Sequence, residues 1–145
     1  KGVELEGAYA FDMGLSVTAA YARSEAKVTR SNYAPEVGLP LNDTPEELAS
    51  LWLSQQFTLD TDSSLRVGLG GRHVGSTVSD GPGGYLRTPG YTLVDALLQV
   101  DVTAWSMGLN INNLAGKKYF APCRNFGDCF TGAPRTVVGT IRYRF

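Results

Sequence analysis

The 145-residue sequence lacks any uninterrupted apolar run long enough for a transmembrane helix, and it lacks the charged-then-apolar start of a signal peptide. It has 13 lysine and arginine residues against 14 aspartate and glutamate residues, so no basic excess points to nucleic acid. Its motifs include neither G-x-S-x-G nor H-E-x-x-H. The mean hydropathy of -0.11 suits a soluble domain but does not exclude a barrel, because only every second residue of a barrel strand faces lipid.

What the sequence does have is alternation, which is clearest in the last ten residues. The apolar residues occupy odd-numbered positions and the polar residues occupy even-numbered positions. The apolar set is Val137, Gly139, Ile141, Tyr143 and Phe145, and the polar set is Thr136, Thr140, Arg142 and Arg144. A strand of this kind has one oily face and one polar face, which suits a wall between lipid and a wet lumen. We therefore expect Arg142 and Arg144 to face the lumen.

Seven alternating segments can be marked along the chain. They are 2–10, 15–26, 48–58, 65–78, 90–102, 105–114 and 135–145. The connections alternate between short (11–14, 59–64, 103–104) and long (27–47, 79–89, 115–134). This rhythm predicts an all-β, up-and-down antiparallel sheet. In outer-membrane barrels the short turns face the periplasm and the long loops face outside.

Prolines and aromatic residues agree with this division. The prolines, which remove a ladder donor, all lie in the long connections: Pro35, Pro40, Pro45, Pro82, Pro89, Pro122 and Pro134. Several aromatic residues combine lipid-face parity with a place beside a short turn or the carboxyl end: Tyr9, Phe57, Trp105, Tyr143 and Phe145. Such a row predicts an aromatic girdle at one membrane interface.

A soluble antiparallel sandwich is the alternative fold, because its inward faces would alternate too. Strands of about ten residues, charges on the polar face and the rhythm of turns and loops favour the barrel. Trp52, Leu93 and Leu97 break the parity, and we expect them to pack against something that fills the lumen. Seven strands spaced about 4.8 Å apart leave two bare edges that lipid does not tolerate. The sequence therefore predicts an incomplete barrel.

Four stretches resemble TonB-dependent siderophore receptors. The first three are PGYTLVDA at 89–96, NINNL at 110–114 followed by KKY at 117–119, and GAPRT at 132–136 with the closing YRF at 143–145. The fourth is GVELE at 2–6, which resembles the strand that begins this region in the same family. One departure is Ala115-Gly116, at a loop entry where an aromatic-acidic pair is more usual. The resemblance covers essentially the whole chain.

The resemblance implies that residues 1–145 are the carboxy-terminal part of an outer-membrane barrel of about 22 strands, with the plug domain absent from this chain. The implied function is uptake of a ferric siderophore across the outer membrane of a Gram-negative bacterium. TonB, reached through the missing amino-terminal part, would drive it. The siderophore is the transported ligand, and no covalently bound cofactor or nucleic-acid partner is expected. Ile141, Tyr143 and Phe145 resemble the signal that the barrel-assembly machinery reads.

The two cysteines, Cys123 and Cys129, lie in the last long connection. A disulfide persists in an exposed loop on an oxidising cell surface, and closing so short a loop contributes roughly 2 kcal/mol. A two-thiolate metal site is the alternative, but it needs two further ligands, and the loop offers Asp128 and no histidine. The spacing therefore favours a disulfide.

His73, the single histidine, is expected near the outer end of its strand with lipid-face parity. A lone histidine there suits the membrane interface, because no carboxylate or nucleophile motif can be placed beside it. The run from Gly68 to Gly71 could suggest a phosphate loop. It lies mid-strand with no helix after it, so small residues in a crowded wall explain it better.

The long loops carry the candidate ligand-binding residues, whose aromatic faces and cations suit a bulky, often anionic, iron chelate. They are Tyr33, Tyr85, Arg87, Phe120, Arg124, Phe126 and Phe130. The same residues could instead anchor the loops to each other. Two other functions stay open at this point. An outer-membrane enzyme would need a hydroxyl such as that of Ser76 bonded to His73, and a passive channel would have an open lumen.

Overall fold

The computed structural model describes residues 1–80 and 84–145, and its main element is a seven-stranded antiparallel sheet. The strands in chain order are β1 (Gly2–Ala10), β2 (Leu15–Ser24), β3 (Glu47–Asp60), β4 (Ser63–Val74), β5 (Thr77–Ser79), β6 (Leu86–Thr88), β7 (Tyr91–Val102), β8 (Trp105–Asn112), β9 (Phe120–Cys123), β10 (Cys129–Thr131) and β11 (Thr136–Tyr143). The sheet order is β1-β2-β3-β4-β7-β8-β11. Among the described residues, the other strands form two separate hairpins, β5–β6 and β9–β10.

The register keeps the predicted apolar set on one face across the whole sheet. Along one row, Val17 pairs with Leu53, Leu53 with Leu69 and Leu69 with Ala96; the row ends where Ala96 pairs with Ile111 and Ile111 with Val137. These side chains are half-buried or exposed, because no other element among the described residues packs over that face. A sheet of this kind is stable only against lipid or another apolar partner. The up-and-down sheet predicted from the alternation is confirmed.

The polar face carries the charges. Arg142 pairs with Ser106, and both have the parity opposite to the pair of Ile141 and Met107. Across the middle of the sheet, Arg72 Nε donates to Asp95 Oδ2 at 2.8 Å. The prediction that Arg142 belongs to the polar face is confirmed by this register.

The aromatic girdle is also present at the short-turn end of the sheet. The rings of Trp105 and Tyr143 lie 4.7 Å apart, and those of Tyr143 and Phe145 lie 5.7 Å apart. Tyr9 stacks edge-on against Phe11 in the adjacent turn, at 4.6 Å. All of these rings are exposed on the apolar side, as residues at a membrane interface are.

Several strand ends lie two to four residues from the approximate predicted bounds, and two of them have a clear physical reason. The segment predicted at 65–78 leaves the sheet after Val74. The turn begins at Gly75, whose N–H donates to Glu47 O. The returning chain passes close by at Gly90, where a Cβ would lie 2.7 Å from Val74 O. The segment predicted at 105–114 ends at Asn112, because Asn113 has a φ of 53° and cannot continue a strand. In both places the chain turns sharply into a long loop.

Trp52 explains the glycines of β4. Its ring lies on the polar face over Gly68 and Gly70, so a Cβ at Gly70 would lie 2.0 Å from the ring. Leu97 flanks Gly68 on the next strand, and Leu93 is only 1% exposed within this chain. The phosphate-loop alternative for this run is thereby excluded. Leu93 is buried by its own chain, so no separate lumen filler is needed to bury it.

The long connections are more ordered than the sequence predicts. The first contains a turn of 3-10 helix over Ala34–Glu36, and the other two contain the hairpins β5–β6 and β9–β10. Pro122 lies inside β9, a short strand outside the main sheet, and Pro82 lies outside the described residues. No helix in the described part of the chain has the length and apolar character to cross a membrane.

Candidate functional site: the interlocked outer loops

Three long loops leave the same end of the sheet. We call them the first loop (25–46), the second loop (75–90) and the third loop (113–135). The buried side chains are concentrated here rather than between the wall strands. They are Thr77, Ser79, Thr88, Asn113 and Cys123, whereas the buried Leu93 belongs to the wall strand β7. The loops therefore have a small core of their own, in which hydroxyl groups take part.

The hairpin β5–β6 of the second loop has two different faces. Thr77 pairs across the hairpin with Thr88, and both are buried. Val78 pairs with Arg87 on the other face. Because side chains alternate along a strand, one face of this hairpin meets the third loop while the opposite face meets the first loop.

Backbone and hydroxyl groups fasten the third loop to the second. Cys123 N donates to Thr88 Oγ1 at 2.9 Å, and Asn125 N donates to Ser79 Oγ at 3.2 Å. Both hydroxyls belong to the buried face of β5–β6, which keeps their bonds away from water and so strengthens them. The third loop is thereby held in one position on the hairpin.

The first loop is fastened to the same hairpin through backbone groups of β5 and of the residue that follows it. Asn42 Nδ2 donates to Asp80 O at 2.8 Å, and Asp80 N donates to Asn42 Oδ1 at 2.9 Å. One residue further on, Asp43 N donates to Val78 O at 2.8 Å. The three loops therefore form one connected mouth around β5–β6.

The predicted disulfide is present in the middle of the third loop. Cys123 and Cys129 are bonded with an S–S distance of 2.06 Å, and they pair with each other across β9 and β10. The described cysteines include no free thiol, and the described residues hold no cluster of three or more metal-ligating side chains. The disulfide closes a small loop, which we call the disulfide hairpin (Phe120–Thr131).

The disulfide hairpin brings together four of the seven predicted ligand-binding residues. Arg124 Cζ lies 5.1 Å from the centre of the Phe130 ring, a cation–π contact, and its guanidinium is 3.9 Å from Asp128. Phe126 is 77% exposed and Phe120 is 52% exposed. Exposed aromatic rings beside a cation can contact a bulky chelate, so the hairpin is a candidate binding surface.

The other three predicted residues lie elsewhere. Tyr85 and Arg87 line a cavity of about 220 Å³ between the first and second loops. Tyr33 sits at the tip of the first loop beside the 3-10 turn, where its backbone N–H bonds to Ser31 Oγ. The structure therefore divides the predicted set into a hairpin group, a cavity group and an isolated tyrosine.

A connection between the wall and the third loop was not predicted from the sequence. Asp95 accepts from Arg72 through Oδ2 and from Asn113 N through Oδ1, the second at 2.7 Å. The Asn113 side chain then bonds to Lys117 N and to the carbonyls of Lys117 and Ala133. Asn113 thus fixes both ends of the third loop on the wall. The signal in the sequence was an asparagine directly after a strand, a residue that tolerates positive φ.

His73 does have a hydroxyl partner, which is Thr92 rather than Ser76. His73 Nδ1 and Thr92 Oγ1 are 2.9 Å apart, and the two residues pair across β4 and β7 on the apolar face. A catalytic histidine also needs a group that orients its second nitrogen and donors for a developing charge. The pair lies on the face that carries the exposed apolar rows, which suits a contact at the membrane interface better than chemistry.

A wider, open hollow of about 750 Å³ lies at the opposite end of the sheet, between the first short turn and Arg66. Gln55 Nε2 closes part of it by donating to Met13 O at 2.8 Å. The residues that line it include none of the predicted ligand-binding side chains. Candidate binding chemistry is therefore concentrated at the long-loop end.

The fold and the loops define a class of protein: the wall of a transmembrane β-barrel with an elaborated mouth at one rim. The family model described as "TonB dependent receptor-like, beta-barrel" matches residues 1–114. The chain belongs to this family of TonB-dependent receptors, which are outer-membrane barrels and not enzymes. The resemblance seen in the sequence is thus confirmed, and the sandwich and enzyme alternatives are excluded.

Curated relatives agree over the whole chain. It is 35% identical over 150 residues to the ferrichrome outer membrane transporter/phage receptor of Escherichia coli K12, covering 100% of this chain and 20% of that protein. It is 33% identical over 152 residues to the ferrioxamine receptor of Yersinia enterocolitica, covering 100% and 21%. The chain therefore spans about a fifth of the length of these relatives.

Solved structures share the fold. The ferric-catecholate import receptor Fiu of E. coli K12 has a TM-score of 0.77 at 30% identity, covering 99% of this chain and 20% of Fiu. The ferric preacinetobactin receptor BauA of Acinetobacter baumannii has a TM-score of 0.85 at 19% identity, covering 98% and 21%. At that identity the second comparison supports the arrangement of the strands alone.

Proposed function

We propose that this chain is the carboxy-terminal part of the barrel of an outer-membrane receptor that takes up a ferric siderophore. The observation that carries the proposal is the mouth: three loops joined by hydrogen bonds, with the disulfide hairpin presenting Arg124, Phe126 and Phe130 outward. The similar receptors are named for ferrichrome and ferrioxamine, which supports the same ligand class.

The disulfide hairpin is the proposed contact surface for the chelate. A ferric siderophore is a bulky complex with apolar ligand arms around a polar metal centre. The exposed rings of Phe126 and Phe130 can cover such arms, and Arg124 adds a cation for chelates that carry negative charge. Because the hairpin is closed by a disulfide and fastened to Thr88, it loses little conformational freedom on binding.

The partners of the complete receptor follow from the family. TonB would act through a part of the receptor outside this chain, and the lumen would hold a plug. The exposed apolar rows of the seven-stranded sheet would contact outer-membrane lipid. The apolar end of the last strand, with Ile141 72% exposed and Tyr143 47% exposed, would be read by the barrel-assembly machinery.

The test is uptake by the complete receptor in a strain that lacks other hydroxamate siderophore receptors. Radiolabelled ferric ferrichrome and ferric ferrioxamine B serve as probes, with and without functional TonB. We expect TonB-dependent accumulation of at least one of them. Replacing both Phe126 and Phe130 with alanine should lower uptake about tenfold, which corresponds to a loss of about 1.4 kcal/mol of apolar contact.

The matched control is Phe11→Ala, because Phe11 is also an exposed aromatic residue, 43% accessible, but lies at the opposite rim. It should leave uptake unchanged. Uptake that continues without TonB would identify a passive channel. Normal uptake by the Phe126 and Phe130 double variant would exclude the disulfide hairpin as the contact surface.

A further inference from the structure

The cavity between the first and second loops is separate from the disulfide hairpin, because the two lie on opposite faces of β5–β6. Its volume of about 220 Å³ would hold about seven water molecules. Polar groups line it from both sides: Thr44 and Glu46 from the first loop, and Ser76, Tyr85 and Arg87 from the second. A space of this size suits one small chemical group rather than a whole chelate.

Arg87 presents an oriented cation to this cavity. Its Nε and Nη2 donate to Ser76 Oγ at 3.2 and 2.9 Å, which fixes the plane of the guanidinium. A guanidinium has five N–H donors, so further donors remain for a ligand. Arg87 pairs across the hairpin with Val78, and both residues line the cavity.

Glu46 presents an anion from the opposite loop. Its backbone carbonyl accepts from Ser24 N at 2.8 Å, which holds the residue at the end of β2. The nearby Lys27 is paired with Glu25, and that hydrogen bond raises the pKa of Lys27 and lowers the pKa of Glu25; the charge of Glu46 also raises the pKa of Lys27, by a smaller amount. Among the described residues, Glu46 and Arg87 form no ion pair with each other or with another group. The lining of the cavity therefore includes one residue of each charge, Glu46 from the first loop and Arg87 from the second.

We propose that this cavity binds a zwitterionic aminocarboxylate group carried at the periphery of the iron chelate. Its carboxylate bonds to Arg87 and its ammonium bonds to Glu46, while the Thr44 and Tyr85 hydroxyls bond to the remaining polar atoms. The inference rests on the proposed function and deepens it, because it selects among ferric siderophores by their end group.

The charges of the cavity disfavour the other simple ligands. A lone anion would be attracted by Arg87 and repelled by Glu46, and a lone cation would meet the reverse arrangement. An apolar group would remove water from two charged side chains without replacing its hydrogen bonds, which is costly. A group that carries both charges satisfies both walls at once.

The test measures equilibrium binding of three forms of one ferric linear trihydroxamate to the purified complete receptor. The forms are ferrioxamine B with its terminal amine free, the same chelate with the amine acetylated, and the chelate with the amine converted to an α-amino acid. We expect the zwitterionic form to bind about five- to tenfold more tightly than the acetylated form, as one or two exposed charge-assisted bonds allow.

Substitutions then assign that preference to the cavity. Glu46→Gln and Arg87→Gln should each bring the ratio of the two affinities close to one. Glu36→Gln and Arg30→Gln remove equivalent charges from the first loop at positions that do not line the cavity, and they should keep the ratio. Using a ratio corrects for any general loss of loop order in a variant.

Each outcome is decisive. Equal affinity of the wild-type receptor for the acetylated and zwitterionic forms would overturn the inference, while binding of the acetylated form would still support the proposed function. A variant that weakens both forms by the same factor would show a structural role for its residue and would also overturn it. A receptor that binds none of the three forms would overturn the inference, and uptake of ferric ferrichrome then decides the proposed function separately.

Discussion

The side chain of Trp52 dictates which residue can stand at position 70. A Cβ there would lie 2.0 Å from the indole ring, so Gly70→Ala forces the ring to move away from the sheet. Overpacking of this kind costs about 1–3 kcal/mol. We expect Gly70→Ala to lower the unfolding temperature of the complete barrel in detergent, measured by its heat-dependent mobility on gels.

The matched control is Gly108→Ala, on the same polar face of the sheet. A Cβ at Gly108 has Thr140 Cβ at 4.0 Å as its nearest neighbour. This change should be nearly neutral. If Gly70→Ala and Gly108→Ala behave alike, then the Trp52 ring does not define the wall at this point. Combining Gly70→Ala with Trp52→Ala should remove the clash and recover part of the loss.

Asn113 combines two requirements that two substitutions can separate. Its φ of 53° favours asparagine or glycine, and its side chain makes the bonds that hold the third loop. Asn113→Gly keeps the conformation and loses the bonds, whereas Asn113→Ala loses both at an additional cost of about 1–2 kcal/mol. We expect proteolysis of the third loop to accelerate in the glycine variant and further in the alanine variant.

Asn110→Ala serves as the comparison for the Asn113 variants, because Asn110 is an exposed residue of β8, the strand that leads directly into Asn113. It should leave the proteolysis rate near that of the wild type. If glycine at position 113 gives the wild-type rate, the side-chain bonds of Asn113 do not hold the loop.

At the scale of the elements, the long strands were predictable and the short ones were not. Strands such as β7 and β3 carry enough alternating residues for the pattern to stand out from chance. Three-residue strands such as β5 and β10 are too short to show an alternation of apolar and polar residues, and they form because the loops pack on each other. Loop packing also explains why Arg87 and Arg124 lie in two different sites. Which site each residue joins depends on which face of β5–β6 its loop contacts. The disulfide was predictable because it needed only spacing and an exposed loop.

The disulfide hairpin is an element that can be loosened without touching the wall. Replacing Cys123 and Cys129 with serine removes a constraint of roughly 2 kcal/mol from a loop outside the sheet ladder. We expect the variant receptor to insert normally and to keep its wall stability, while its affinity for the siderophore falls. Quantitative membrane fractions and a binding titration measure the two effects. A loss of insertion would contradict the independence of loop and wall.

At the scale of the whole molecule, the end of the chain is predicted to matter more for assembly than for stability. Phe145 is fully exposed here, and in the membrane it contributes one girdle residue, worth about 2–3 kcal/mol of burial. Deleting Phe145 should therefore lower the amount of inserted receptor far more than it lowers the melting temperature of what inserts. Equal surface levels of the deletion and the parent would reject an assembly role.

The way the loops are fastened also determines where the mouth can accept foreign sequence. The tip of the first loop, from Ser31 to Gly38, is held by contacts within that loop, such as the bond from Ser31 Oγ to Glu36. The stretch around Asn42 and Asp43, by contrast, is bonded to the second loop. An epitope tag inserted after Tyr33 should therefore be displayed to antibody on living cells while the rest of the mouth keeps its shape. The same tag after Asn42 would separate the loops from each other.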